Sequence, residues 1–333
     1  MAERVFSGIQ PTGELHIGNY LGAVRNWVEI QSDFDCIYCV VDYHAITIPY
    51  EVGEMSARTL DLCAGLMACG IDPDRAALFI QSHVPEHTEL AWVFNAVTPM
   101  GELGRQTQFK AKSQQHEENI NAGLFTYPVL QAADILLYKA SRVPVGEDQA
   151  QHLELSREIA RRFNNRFGET FPEATTLFTT TPRIRGLDGQ AKMSKSLGNT
   201  IRVDEEPAEL RRLLAGAYTD PNRKRRSDPG DPSICNIYTL HGFFTDEGQV
   251  DQIRRDCQSA AIGCVDCKKL LAETMERHFT PIRERWAHLR EKPDEVRGAL
   301  ESGRDRCRAI AVETMAEVRD RLGLLGSGSG GDR

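Results

Sequence analysis

Val5-Phe6-Ser7-Gly8-Ile9-Gln10-Pro11-Thr12-Gly13-Glu14-Leu15-His16-Ile17-Gly18-Asn19 is the stretch whose reading decides the fold. Val5 to Ile9 is a short run with strand character. Gly8, Pro11 and Gly13 punctuate a turn, and Tyr20, Leu21, Val24, Trp27, Val28 and Gln31 then recur at helical spacing. The pattern is strand, glycine-rich turn, helix. Such a turn presents backbone N–H groups and the positive end of a helix dipole, a ready site for an anion. In this reading Asn19 is the N-cap of the helix. Gly18 lets a ligand lie against the backbone, and His16 and Asn19 are donors for phosphate oxygens. Taken alone, the stretch also fits an ordinary turn between a strand and a capped helix.

The pattern repeats outward from there. Cys36 to Val41 is a continuous apolar strand, as expected where both faces of a sheet are covered. A helix over 53–68, a strand at 77–81, a helical segment over 90–97 and a helix over Tyr127 to Tyr138 follow. Pro128 suits the first turn of that last helix. A strand at Arg142 to Val145 and a helix over 148–163 come next. Strand–helix alternation predicts an α/β fold, a Rossmann-like doubly wound parallel sheet. After about residue 203 the strand signals fade. Leu271, Met275, Phe279, Ile282, Trp286 and Leu289 form one helical stripe, with a kink expected at Pro281. Leu300, Cys307, Ile310, Met315, Val318 and Leu322 form another. The expected organisation is a Rossmann-type domain over 1–202, an all-helical C-terminal domain over 203–325, and a flexible Gly/Ser tail over 326–333.

Composition bounds the function. The chain has 333 residues, 41% hydrophobic and 26% charged, with a formal net charge of −8. That fits a soluble globular protein and argues against a wholly basic nucleic-acid coat. It does not exclude RNA binding through a local patch, because a patch acts within about one Debye length. The run Arg223-Lys224-Arg225-Arg226 is such a patch, or simply a solvated loop. No apolar run approaches the roughly 20 residues that span a bilayer, and the N-terminus lacks the pattern of a signal peptide; a cytoplasmic setting is expected.

A second string narrows the chemistry. Lys192-Met193-Ser194-Lys195-Ser196 lies in a polar loop between Gly189 and Gly198. Two lysines and two hydroxyls there suit a polyphosphate. A mobile loop delivers such charge where it contributes most, in the transition state. His16-Ile17-Gly18-Asn19 followed by Lys192-Met193-Ser194-Lys195-Ser196 resembles the paired signature of class I aminoacyl-tRNA synthetases, and nearly the whole chain is similar to the tryptophanyl-tRNA synthetase family. Val41 to Thr47, Thr126-Tyr127-Pro128, Ala132 to Tyr138 and Val143 to Gln149 carry that resemblance.

The resemblance implies ATP-dependent activation of L-tryptophan and its transfer to tRNA(Trp), an in-line phosphoryl transfer dominated by positioning and charge stabilisation. It implies that Gln10, Pro11, Thr12, His16, Gly18 and Asn19 line the ATP site, that Gly146, Glu147 and Asp148 hold the ribose and adenine side, and that Ile184 packs on the adenine. Lys192 and Lys195 would be the catalytic cations, with Met193, Ser194 and Ser196 beside them. Mg²⁺ would accompany ATP, held mainly by phosphate oxygens. A homodimer is implied, with the insertion over 102–140 supplying much of its interface.

The amino-acid pocket has its own argument. Tyr127, Gln131, Asp134 and Tyr138 are spaced three and four apart and share a helical face. Asp134 stands among Ala, Ile and Leu. It is either a carboxylate favoured by a helix dipole or an acceptor for the indole N–H, the polar handle of a tryptophan side chain. The resemblance assigns it the second role, and implies that Phe6, Gly8, His44, Tyr127, Gln131, Val143, Val145 and Gln149 line the rest. Gln131 stands where many relatives carry Met.

Nine cysteines are too few for a disulfide scaffold in a chain of this length. Four of them, Cys235, Cys257, Cys264 and Cys267, have the spacing C-x21-C-x6-C-x2-C, compact enough to close around one metal centre. Spacing alone does not separate tetrahedral Zn²⁺ from an iron–sulfur cluster, or either from four reduced thiols. A subset of the family carries a [4Fe–4S] cluster on nearly this spacing, with a first gap one residue longer, so the resemblance implies such a cluster. Cys36 and Cys39 fall in one strand, where alternation sends their thiols to opposite faces. Rival readings are a tyrosyl-type synthetase, a small-molecule nucleotidylyltransferase, or a catalytically inactive RNA-binding or iron–sulfur paralogue.

Overall fold

The computed structural model describes residues 3–105, 120–145, 150–178, 184–189, 193 and 197–325, without the side chains of 145, 150–152 and 178. The chain runs β1 (Arg4–Ile9), α1 (Ile17–Asn19), a π-helical turn (Tyr20–Val24), α2 (Arg25–Ile30), β2 (Asp35–Val40), α3 (Asp42–Ala45), α4 (Val52–Ala68), β3 (Ala77–Ile80), α5 (Glu86–Asn95) and α6 (Met100–Leu103). It continues with α7 (Ala122–Leu137), β4 (Arg142–Val145), α8 (Ala150–Phe167), β5 (Thr175–Phe178) and α9 (Pro207–Gly216). Then come α10 (Asn236–Phe244), α11 (Glu247–Gln258), α12 (Cys264–Glu291) and α13 (Pro293–Arg321). Among the described residues no helix is long and apolar enough to cross a membrane.

The strands form one parallel sheet in the order β3-β2-β1-β4-β5. The chain builds outward from β1 to β3, then crosses back to place β4 on the other side of β1. That reversal opens a crevice beyond the carboxyl ends of β1 and β4, where open α/β sheets bind ligands. Alternation along the strands assigns the two faces. Val5, Cys36, Tyr38, Val40 and Leu78 share one core with Leu62, Leu66, Leu271, Phe279 and Trp286 of α4 and α12. Phe6, Ile37, Cys39, Phe79 and Val143 share the other with Leu90, Leu136, Phe163, Cys307 and Met315 of α5, α7, α8 and α13. Cys36 and Cys39 therefore do face opposite ways.

The first core continues through Ile201, Val203, Leu210, Leu240 and Ile253, so apolar packing is unbroken across residue 203. The last helix, though far along the sequence, lies on the sheet. At Gly303 an added Cβ would stand 2.1 Å from Leu78 O, so α13 approaches β3 backbone to backbone.

Several elements differ from the sequence reading. α7 begins six residues before Pro128, because the Asn121 side chain accepts from Leu124 N (2.9 Å) and caps it. Pro128 thus sits inside the helix, leaving one carbonyl of the preceding turn without its usual donor. β5 completes the sheet where Thr175-Thr176-Leu177-Phe178 gave no clear signal. α12 runs through Pro281 as one helix.

Candidate active site

The β1–α1 turn stands at the mouth of the crevice. Its cap is His16 rather than Asn19. His16 Nδ1 accepts from Asn19 N (3.3 Å), and Asn19 Oδ1 accepts from His16 N (3.4 Å), a reciprocal box that closes the first turn. Asn is the commoner cap by residue type, but here the histidine ring nitrogen does that work three residues earlier. The helix then widens into the π-helical turn, a form concentrated at functional sites.

The segment that follows the lysine loop is sewn to this turn. Ile17 N donates to Ile201 O (2.9 Å) and Val203 N to Leu15 O (2.9 Å), with a bridge between His16 and Arg202. Met193 is buried, and its N–H donates to Ile184 O (3.2 Å). A Cβ on Gly18 would lie 2.9 Å from His16 Nδ1 and 3.4 Å from Met193 Cβ. The structure thus gathers His16, Gly18, Asn19, Ile184 and Met193 at one place. Gln10 is half-buried, Pro11 buried and Thr12 exposed on the same turn. Gly146, Glu147, Asp148, Gln149, Lys192, Ser194, Lys195 and Ser196 lie outside the described residues.

The amino-acid side of the crevice is built on α7. Asp134 is 1% exposed. Its Oδ2 accepts from His44 Nε2 (2.8 Å); its Oδ1 accepts from Gln81 Nε2 (2.7 Å) and His87 Nδ1 (2.7 Å). Burial pushes this carboxyl up, but the hydrogen bonds and charge of His44 and His87 outweigh it and hold Asp134 well below the usual carboxylate range. His87 Nε2 meets the Tyr138 hydroxyl (2.7 Å), whose ring stacks on Phe6 at 5.7 Å. The His44 ring stands edge-on to Tyr127 at 6.2 Å. Val143 is buried in β4, Gly8 pairs with Cys39 in β1, and Gln131 is half-buried one turn before Asp134; the Val145 side chain is outside the described residues. Sequence reasoning missed Gln81 and His87. His87 is the second residue of α5, in the stretch that follows the end of β3, and that placement is its one local signal.

The four cysteines of the helical half converge. Cys235, Cys257, Cys264 and Cys267 line one pocket with Thr219, Arg223, Ile237, Tyr238, Ile253 and Ile262. Burial, and then the neighbouring thiolates of Cys235, Cys257 and Cys264, push the Cys267 thiol up to about 12. Arg223 turns inward, its Nη1 donating to Cys257 Sγ (3.8 Å) and Nη2 to Ile262 O (2.8 Å), while its Nε is buried with no hydrogen-bond partner. Lys224, Arg225 and Arg226 face outward. Among the described residues no three of His, Cys, Asp and Glu are close enough to hold a single metal ion.

The chain belongs to the class I tRNA synthetases: the family described as "tRNA synthetases class I (W and Y)" matches residues 2–280. It is 51% identical over 327 residues to the tryptophan–tRNA ligase of Deinococcus radiodurans, covering 97% of this chain and 99% of that one. It is 44% identical over 327 residues to that of Thermotoga maritima, with the same coverage. The crystal structure of Campylobacter jejuni tryptophanyl-tRNA synthetase complexed with ADP and tryptophan has a TM-score of 0.87 at 36% identity, covering 96% of this chain and 100% of that one. Within the class, these relatives put the chain in the tryptophan–tRNA ligase family.

Proposed function

We propose that the chain joins the carboxylate of L-tryptophan to the α-phosphorus of MgATP, expelling pyrophosphate. It then passes the tryptophanyl group from the adenylate to the 3′ end of tRNA(Trp). The observation that carries this reading is a capped phosphate-type turn at His16–Asn19 following β1 together with a buried, ionised Asp134 on the helix whose end packs on β1 through Phe6 and Tyr138. The turn and the helix dipole behind it receive the phosphates, with Gln10, Pro11 and Thr12 beside them. Ile184 and Met193 form an apolar wall for the adenine. Gly146, Glu147 and Asp148 would hold the ribose. Lys192 and Lys195 would meet the charge that grows on the phosphates as pyrophosphate leaves. Asp134 accepts the indole N–H, with Phe6, Gly8, His44, Tyr127, Gln131, Val143, Val145 and Gln149 around the ring. Amino-acid-dependent ATP–pyrophosphate exchange tests the reading: tryptophan supports exchange and tyrosine does not. Exchange with neither, in protein that still binds ATP, refutes it.

Two further assignments belong to this reading. The first is an iron–sulfur cluster held by Cys235, Cys257, Cys264 and Cys267. The four cysteines line one pocket, as ligands of a shared centre must. The cationic Arg223, with a buried unpartnered Nε at the pocket, suits an anionic cluster ligated by four thiolates. Such a [4Fe–4S] group would tie α10, α11 and α12 together rather than act in the activation chemistry. Anaerobically purified protein should carry iron and absorb broadly near roughly 400 nm; iron-free protein with no such band refutes the assignment. The second is a cytoplasmic homodimer. Trp92 is 77% exposed on α5, Met100 72% on α6 and Ile120 55% just before α7, large apolar side chains turned outward within and shortly before the insertion over 102–140. Light scattering should report twice the chain mass.

A further inference from the structure

We propose that Gln81 and His87 are positioning residues that aim the carboxylate of Asp134 at the amino acid, and that they set the preference for a side chain carrying one N–H donor. The inference rests on the reading of Asp134 as the acceptor of the indole N–H.

An ionised carboxylate offers about four lone-pair directions and no donor. Three are filled by protein. Gln81 Nε2 and His87 Nδ1 take both directions on Oδ1, and His44 Nε2 takes one on Oδ2. Among the described residues, one direction on Oδ2 is left for a ligand. Both donors on Oδ1 are themselves fixed from behind. The Tyr43 backbone N–H donates to Gln81 Oε1 (3.1 Å), which settles which end of the amide faces Asp134. Since Asp134 can only accept, His87 Nδ1 carries a proton, and Nε2 is held by the Tyr138 hydroxyl. Gln81 and His87 are both fully buried, so neither can swing away to water. Indole N–H is a donor only, and it matches one remaining acceptor direction. A carboxylate free to rotate would instead spread its lone pairs over several orientations and lose the distinction.

The test compares tryptophan with its benzothiophene analogue, in which sulfur replaces the indole N–H, in ATP–pyrophosphate exchange. The wild-type chain should prefer tryptophan by roughly 10- to 100-fold in kcat/KM. Gln81→Met and His87→Phe keep volume and remove one donor each. Each should lower kcat/KM for tryptophan about 10-fold while the analogue and the KM for ATP change less than about 3-fold, so the preference collapses. His87→Asn restores a donor at the Nδ1 position and should recover most of it. Tyr138→Phe removes only the hydroxyl behind His87 and should give the same collapse in weaker form, even where the larger changes impair folding. A purely structural role would depress both substrates equally. A preference that vanishes in Asp134→Asn but survives in Gln81→Met, His87→Phe and Tyr138→Phe overturns the positioning inference alone. A wild-type chain that does not discriminate overturns the reading of Asp134, and this inference with it.

Discussion

Replacing Asp134 with alanine should damage the fold as well as the specificity, by an amount that can be worked from the site. The substitution strips the acceptor from three buried donors, His44 Nε2, Gln81 Nε2 and His87 Nδ1, each at 2.7–2.8 Å from a carboxylate oxygen. A buried donor left without a partner costs about 1–3 kcal/mol. A water entering the vacated space recovers part of that, so the net loss is about 3–6 kcal/mol. With about 2.1 cal/mol/K of unfolding entropy per residue over 333 residues, the corresponding fall in Tm is roughly 4–9 °C. The assay is thermal unfolding with and without tryptophan. Tryptophan at a hundred times its Kd stabilises the wild type by about 2.7 kcal/mol, roughly 4 °C on the same scale. The variant should lose both the intrinsic stability and this ligand increment. A Tm within about 1 °C of the wild type would refute the network as described, and a retained ligand increment would remove Asp134 from the pocket.

Other consequences are equally direct. Gly303→Ala puts a methyl 2.1 Å from Leu78 O, against backbone that cannot rotate aside, and should cost about 1–3 kcal/mol in denaturant unfolding. Gly18→Ala drives a methyl toward His16 Nδ1 and Met193; the KM for ATP should rise roughly 10-fold or more with little change in Tm, since the crowding falls on the nucleotide turn. Asp204 is pushed up by burial, but Arg202 and Arg290 more than offset that and lower its pKa. Its contribution is therefore complete above the unfolded value of about 4 and is lost as pH falls through the lower folded value. Asp204→Asn should flatten the acid limb of the stability curve below about pH 4, while the curve above pH 6 shifts down without changing slope.

Much of this architecture was legible from residue type and spacing. Period-two strands and period-3.6 helices gave the alternation around Val5–Ile9, Cys36–Val41 and Arg142–Val145, because burial on both faces writes itself into continuous apolar runs. What escaped were features decided by neighbours distant in sequence. Pro128 is a good first-turn residue by propensity, yet Asn121 caps the helix earlier because its Nδ2 also reaches Thr47 O at 2.9 Å. Gln81 and His87 lie 53 and 47 residues from Asp134, and no local pattern links them. Among four consecutive basic residues, nothing local marks Arg223 as the one that turns toward a thiol. Period and capping report what a residue does to its own helix or strand. They are silent on which buried carboxylate it will meet.

The placement of α13 sets the order in which the chain can finish folding as it is made. β3 is complete at Ile80, but the helix that covers it, with Gly303 against Leu78 and with Cys307 and Met315 in the core of Phe79, begins at Pro293, more than 200 residues later. At about 5–20 residues per second, the sheet waits roughly 10–50 s on the ribosome with one face partly bare. A nascent chain of this kind is a natural client for a chaperone that shields apolar β surface. A stop codon anywhere before residue 303 would leave the catalytic half unable to close its core, even though every residue named in the active site had already been synthesised.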